Sequence, residues 1–170
     1  FKKPRLIGQT MDDAAGEAYD KVARILDLGY PGGPVIDELA SQIEETDLAF
    51  SCAPMKDTLN FSFSGVKTAV LYHTQKHGKA KEQKSRIAHA FQKSVVTVLV
   101  DKALDACRKY KVGTLLIGGG VAANSLLRAK LKEMAETQGV RFYCPPLPLC
   151  LDNGAMIAGL AYRIKQGAKA

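Results

Sequence analysis

Apolar and polar positions recur along this chain in two periods, and the helical one dominates. Between residues 12 and 28 the apolar and small residues Ala14, Ala15, Ala18, Val22, Ile25 and Leu26 return at three- and four-residue steps. That spacing predicts a helix with one buried side and Asp12 or Asp13 as its N-cap, with Glu17–Lys21 and Asp20–Arg24 as i,i+4 ion pairs on the wet side. The turn at 30–34 separates it from a second helix, predicted at 35–43 with Pro34 at its start and Asp37 in its first turn. Val66, Ala69, Val70 and His73 mark a third helix, with Ser64 as expected N-cap and Gly78 as stop. The widest apolar stripe, from Ile87 through Phe91, Val95 and Leu104 to Cys107, predicts a central packing helix over 87–110, with His89 as a packing or surface residue. Helices at 122–132 and 154–165 complete the helical set.

Period-2 or short apolar runs predict strands at 5–10, 58–62, 112–117 and 140–143, with Phe61 and Phe63 on one face. Strands and helices alternate in the second half. The expected fold class is therefore α/β, one domain over residues 1–170, with a mainly parallel sheet and helices packed on it.

The stretch VGTLLIGGGVAANSLLR at 112–128 carries the first chemical signal. A strand, then Gly118, Gly119 and Gly120, then a helix, place bare backbone N–H groups at a positive helix end where phosphate or ribose oxygens can approach. Asn124 can cap that helix or touch a ligand. Neither GxGxxG nor GxxxxGK[ST] is present, so the pattern names an anion site without naming the ligand. The prolines of CPPLPLCLDN at 144–153 enforce an irregular loop before the last helix, and by spacing alone Asp152 is that helix's N-cap.

Charge adds a direction. The net charge of +7 favours an acidic partner, nucleic acid first, and residues 76–86 are the most basic segment. Aromatic residues make up only 7% and Trp is absent, which argues against a base-stacking platform. His73 and His77 form an HxxxH on one helix face, yet Gly78 and the surrounding lysines make it a poor metal pair. The four cysteines have no CxxC spacing, and no run reaches the roughly 18 apolar residues of a membrane span. A cytoplasmic protein with reduced thiols and no membrane partner is the expectation. The chain begins at Phe1 rather than Met, which points to a piece of something longer.

Five stretches taken together, DDAAGEAYDKVARILDLGYPGGP, FSFSGVKTAV, IAHAFQKSV, LLIGGGVAANSLLR and LDNGAMIAGLAY, resemble the TsaD family, which makes threonylcarbamoyladenosine in tRNA and was once called O-sialoglycoprotein endopeptidase or glycoprotease. The match runs over residues 6–162. The resemblance implies the actin/Hsp70/sugar-kinase (ASKHA, RNase H-like) fold, two lobes with a ligand cleft between them, of which this chain is most of the C-terminal lobe. It implies transfer of the threonylcarbamoyl group from threonylcarbamoyl-AMP, an ATP-derived nucleotide, to the adenosine 3′ of the anticodon in tRNAs that decode ANN codons. By the same resemblance Asp20, Gly33, Asp37 and Asn124 match nucleotide-substrate contacts, and Gly118, Gly119 and Gly120 match the adenosine-motif turn. Asp152 matches a ligand to one divalent iron or zinc, against the cap reading that spacing favours.

The residue types agree with those roles. Asp20 and Asp37 offer acceptors to ribose hydroxyls, and Gly32 and Gly33 leave backbone room beside them. A metal would act as Lewis acid on carbamoyl or phosphate oxygens, and the basic segment would meet tRNA phosphates. The family's two histidine ligands and a Ser-Gly-Gly phosphate segment belong upstream, on an N-terminal lobe absent from this chain. His73 and His77 do not inherit that role, and the chain alone is expected to be inactive. The resemblance further implies a TsaB-like paralogue and a TsaE-like ATPase as partners, the bacterial set to which YPGGP points. Two alternatives remain open: a non-catalytic dimerisation module like the TsaB-type paralogue and, last, a metalloendopeptidase, for which no HExxH is present.

Overall fold

In the computed structural model, which describes residues 4–53 and 55–167, one long helix is the spine. The chain runs α1 (Ala15–Ile25), α2 (Gly32–Ser41), α3 (Ser64–His77), α4 (Lys81–Tyr110), β1 (Thr114–Leu116), a 3-10 turn (Gly120–Ala123), α5 (Ser125–Thr137), β2 (Arg141–Tyr143), a second 3-10 turn (Leu147–Leu149) and α6 (Gly154–Gly167). At 30 residues α4 is about 45 Å long, and it serves two hydrophobic clusters in series. Its first half carries Ile87, Phe91 and Val95 into a core with Ala18, Val22 and Leu26 of α1, Ile36 of α2, and Val66 and Val70 of α3. Its second half carries Val96, Val100 and Leu104 into a core with Leu127, Leu131 and Ala135 of α5. Phe91 is wholly buried and meets the Tyr19 ring edge-on at 5.0 Å, a burial that contributes about 2–3 kcal/mol.

Local signals placed most helices well, and tertiary contacts moved their ends. α1 begins at Ala15 with Ala14 as N-cap, because Asp12 and Asp13 are engaged elsewhere. Asp12 accepts from the Phe63 N–H at 2.8 Å and from the Ser64 N–H at 3.2 Å, so it caps α3 in place of Ser64. Asp13 pairs with Lys21 at 2.6 Å and Lys67 at 3.0 Å. Glu17 does pair with Lys21, but Asp20 turns to α2 instead of to Arg24. α2 starts at Gly32 rather than Val35, which puts Pro34 third in the helix and Asp37 in its second turn. Gly78, at φ 78°, ends α3 as its sequence signal required.

The sheet is smaller than expected. β1 and β2 pair in parallel, Thr114 with Arg141 and Leu116 with Tyr143, and are the only strands among the described residues. Among the described residues the runs at 5–10 and 58–62 form no ladder beyond one isolated parallel bridge between Thr10 and Phe61. Side chains take the backbone donors just before that bridge on both runs: Asn60 Oδ1 accepts the Gln9 N–H, and Thr58 Oγ1 accepts the Asn60 N–H. Phe61 and Phe63 still stack, at 5.7 Å, within the first core. α6 forms where its sequence pattern placed it, yet every residue of it is exposed.

Candidate functional site

The site is assembled by α1, α2 and the glycine turn before α5. Gly32 is the hinge of the assembly, because a Cβ there would lie 2.7 Å from Ala23 Cβ and from the Tyr19 carbonyl oxygen. Only glycine lets α2 start this close to α1. Asp20 Oδ1 accepts the Gly32 N–H at 2.8 Å and so ties down the N-terminal end of α2. Gly33 differs from its neighbour, since a Cβ on it would meet nothing within 4 Å, and Asp37, four positions on, lies on the same helical face. The backbone room expected of both glycines is thus supplied by Gly33 alone.

The turn at Gly118, Gly119 and Gly120 borders the same region, with Val121 Cγ2 only 3.5 Å from where a Cβ on Gly16 of α1 would stand. Gly119 holds φ 85°, which disfavours any side chain, and Gly118 and Gly119 both face open space. Among the described residues no acceptor meets the N–H of Gly118 or Gly119. Gly120 is closed over by Leu151, 3.4 Å from its would-be Cβ, so the loop that carries Asp152 lies against the turn.

Beneath this surface runs a buried polar network. Asn124 Oδ1 accepts the Leu127 N–H at 2.9 Å and so caps α5, one of the two roles its sequence position allowed. Its Nδ2 donates to Gln92 Oε1 at 2.8 Å and to Asp37 Oδ1 at 3.1 Å. Gln92 Nε2 donates to Asp37 Oδ1 at 2.9 Å, and the Tyr19 hydroxyl donates to Gln92 Oε1 at 3.5 Å. The Ser125 N–H reaches Asp37 Oδ2 at 2.9 Å and its hydroxyl reaches Oδ1 at 2.8 Å. Burial first, then the charge of Asp37, hold the Tyr19 phenol far above its ordinary value, so it remains a proton donor. Asn124 is buried, and its amide is fully engaged with protein groups; Asp20 and Asp37 are half-buried, each with one oxygen less committed than the other.

The structure therefore brings Asp20, Gly33, Asp37, the glycine turn and Asn124 around one region. Sequence reading missed Gln92, Tyr19 and Ser125. A signal existed for Gln92: Ala88 and Val96, four residues before and after, put it on the buried side of α4, where an amide needs partners.

Asp152 is not the cap of α6. Asn153 Oδ1 accepts the Met156 N–H at 3.0 Å instead, and the exposed Asp152 carboxylate bonds to no described residue. It is thus able to serve as one hard oxygen ligand, but among the described residues no three His, Cys, Asp or Glu side chains converge to complete a site. His73 and His77 stack on each other at 4.6 Å, and His73 sits edge-on to Phe50 at 5.7 Å. Burial, then His77, Arg86 and Lys76, keep His73 below its ordinary value.

The family model described as TsaD, tRNA N6-adenosine threonylcarbamoyltransferase, matches residues 2–159. The chain belongs to that family. Over 161 residues it is 51% identical to the tRNA N6-adenosine threonylcarbamoyltransferase of Thermosipho africanus, covering 94% of this chain and 48% of the relative. Over 168 residues it is 49% identical to the Persephonella marina protein of the same name, covering 96% of this chain and 47% of the relative. The chain thus spans about half the length of the TsaD relatives it matches. Full-length HypF, crystallised in a phosphate- and nucleotide-bound form, superposes on 83% of the chain and 19% of its own length with TM-score 0.61 at 22% identity, a likeness of fold alone. The fold class is α/β of the actin/Hsp70/sugar-kinase type. No helix among the described residues is long and apolar enough to cross a membrane.

Proposed function

We propose that this chain is the nucleotide-handling C-terminal lobe of a tRNA N6-adenosine threonylcarbamoyltransferase. In this reading the whole enzyme moves the threonylcarbamoyl group from threonylcarbamoyl-AMP to the N6 amine of the adenosine 3′ of the anticodon in ANN-decoding tRNAs. The observation that carries it is the half-buried Asp37: its Oδ2 takes one donor from the protein, and it stands on one helical face with the open backbone of Gly33. A ribose hydroxyl can donate to Oδ2 while the nucleoside lies over Gly33, and Asp20 offers a second acceptor beside it. The N–H groups of Gly118 and Gly119, which meet no acceptor among the described residues, suit the phosphate side of the same ligand. Asn124 contributes from below, through the cap on α5 and its bond to Asp37.

Asp152 would supply one ligand to a divalent metal, iron or zinc, with the remaining ligands from outside this chain, histidines of an N-terminal lobe by the family pattern. Such an ion supplies Lewis-acid polarisation of carbamoyl or phosphate oxygens when bound. The basic segment at 76–86 would face tRNA phosphates, and a TsaB-like paralogue and a TsaE-like ATPase would be the protein partners, in the cytoplasm. The names of the relatives favour this transferase reading over a non-catalytic paralogue or an endopeptidase.

A chimera tests it. This chain replaces the matching residues of the Thermosipho africanus relative, and product tRNA is digested and its nucleosides weighed by mass spectrometry. Threonylcarbamoyladenosine should form, and Asp37→Ala in the chimera should reduce it at least about tenfold. A folded chimera that binds tRNA yet makes none of the modified nucleoside would count against the proposal.

A further inference from the structure

We infer that Gln92 is the positioning residue of the nucleotide site, holding the Asp37 carboxylate and the Asn124 amide in one fixed polarity so that Asp37 Oδ2 faces a ribose hydroxyl of an adenine nucleotide. The inference rests on the nucleotide reading above and names how that site is kept in register.

Both ends of the network have only one possible polarity. The Leu127 N–H can only donate, so Asn124 must turn Oδ1 to it and Nδ2 away. The Asp37 carboxylate can only accept, so Gln92 must turn Nε2 to it. Between those ends Gln92 Oε1 receives Asn124 Nδ2 at 2.8 Å, with the Tyr19 hydroxyl as a further donor. A flipped Gln92 amide would set oxygen against the carboxylate and nitrogen against the Asn124 nitrogen, two repulsive contacts in a place where Gln92 is 3% exposed. Only one arrangement is self-consistent.

That arrangement treats the two oxygens of Asp37 differently. Among the described residues Oδ1 receives three donors, from Gln92, Asn124 and the Ser125 hydroxyl, and Oδ2 receives only the Ser125 N–H. Oδ1 is saturated and Oδ2 keeps room for one more donor. Gln92 comes from α4, the packing spine, so the orientation of a ligand-facing carboxylate on α2 is set from the helix that both hydrophobic clusters share.

Titration of AMP into this chain by calorimetry, at pH 8 and at pH 5, reads the role. Gln92→Glu keeps the side-chain shape but sets a second carboxylate against Asp37 at pH 8; a protonated Glu at pH 5 again offers one donor to Asp37 and one acceptor to Asn124. The other titratable groups near the position are Tyr19 on α1, held protonated by burial, and His89 one turn earlier on α4, whose Nδ1 lies 3.2 Å from the Ala40 carbonyl oxygen of α2 and which wild type and variants share. The expected result is AMP binding about tenfold or more weaker than wild type at pH 8, recovering to within about threefold at pH 5. Gln92→Met, which cannot donate or recover, should lose a similar factor at both pH values and decides the matter if Gln92→Glu does not fold. Wild-type binding with both folded variants binding equally well, or losing affinity without the pH-dependent return in Gln92→Glu, overturns the Gln92 role alone. No AMP binding by the folded wild-type chain overturns the nucleotide reading and the Gln92 role together.

Discussion

Asp12 Oδ1 accepts the backbone N–H of Phe63 across 2.8 Å, fixing the segment before α1 to the first turn of α3 from 51 positions away. The Ser62 and Ser64 hydroxyls and the Ser64 N–H complete the attachment. Burial alone would raise this carboxyl, but the four hydrogen bonds together outweigh it and hold Asp12 far below the usual carboxylate range. A depressed folded value means the contribution is whole above the unfolded value near about 4 and is lost as pH falls below it. Asp12→Ala should therefore cost about 1 kcal/mol in urea unfolding at neutral pH, the scale of a lost cap at an exposed site. The gap between wild type and variant should narrow from about pH 5 downward, and a gap that stays constant into strong acid would contradict this account.

Gly32 and Gly33 are adjacent and should answer substitution in opposite ways. Gly32→Ala forces a methyl to within 2.7 Å of Ala23 Cβ and the Tyr19 carbonyl, so α2 must shift and stability should fall by about 2 kcal/mol or more. Gly33→Ala meets open space inside a helix and should leave stability unchanged or raise it by up to about 1 kcal/mol. AMP binding should nevertheless weaken in Gly33→Ala if the nucleoside lies over that backbone. Thermal melts and AMP titration of the two variants separate packing from ligand room.

Asn124→Ala removes the α5 cap and strips a donor from both Gln92 and Asp37 in a buried place. A loss of about 2–3 kcal/mol is expected. Combined with Asp37→Ala, the two losses should fall short of additivity by about 1 kcal/mol, since each single change already breaks the shared bond. Strict additivity in a urea double-mutant cycle would mean that the 3.1 Å contact contributes nothing.

Asp152 and Asn153 make a matched pair of controls. Asn153→Ala should lower the helical circular dichroism signal through loss of the α6 cap, and Asp152→Ala should leave both the signal and the global stability within about 0.5 kcal/mol of wild type. In the chimera with the Thermosipho africanus relative, Asp152→Ala should instead lower the iron or zinc retained after dialysis, read by elemental analysis. Equal metal content would remove Asp152 from the ligand set.

Much of the fold was legible because helices are local. The stripe from Ile87 to Cys107 identified α4, Gly78 stopped α3, and Asn124 capped α5, since each signal acts within a turn or two of its own residue. The segments at 5–10 and 58–62 show the opposite case. Their pattern puts Phe61 and Phe63 on one face correctly, but a strand needs a lateral partner, and among the described residues one bridge between Thr10 and Phe61 is all the ladder they form.

By itself the sequence determined the helical set, the glycine turn and, through five motifs in order, membership of the TsaD family. Tertiary structure decided which polar groups are used up and which are left for a ligand. Asp20 chose Gly32 over Arg24, Asp12 capped a helix other than its own, Asn153 relieved Asp152 of the cap, and Asp37 met Asn124 across 87 positions. A side chain's backbone neighbours set its conformational propensity, whereas its hydrogen-bond partners are chosen by whatever elements the buried apolar faces bring against it.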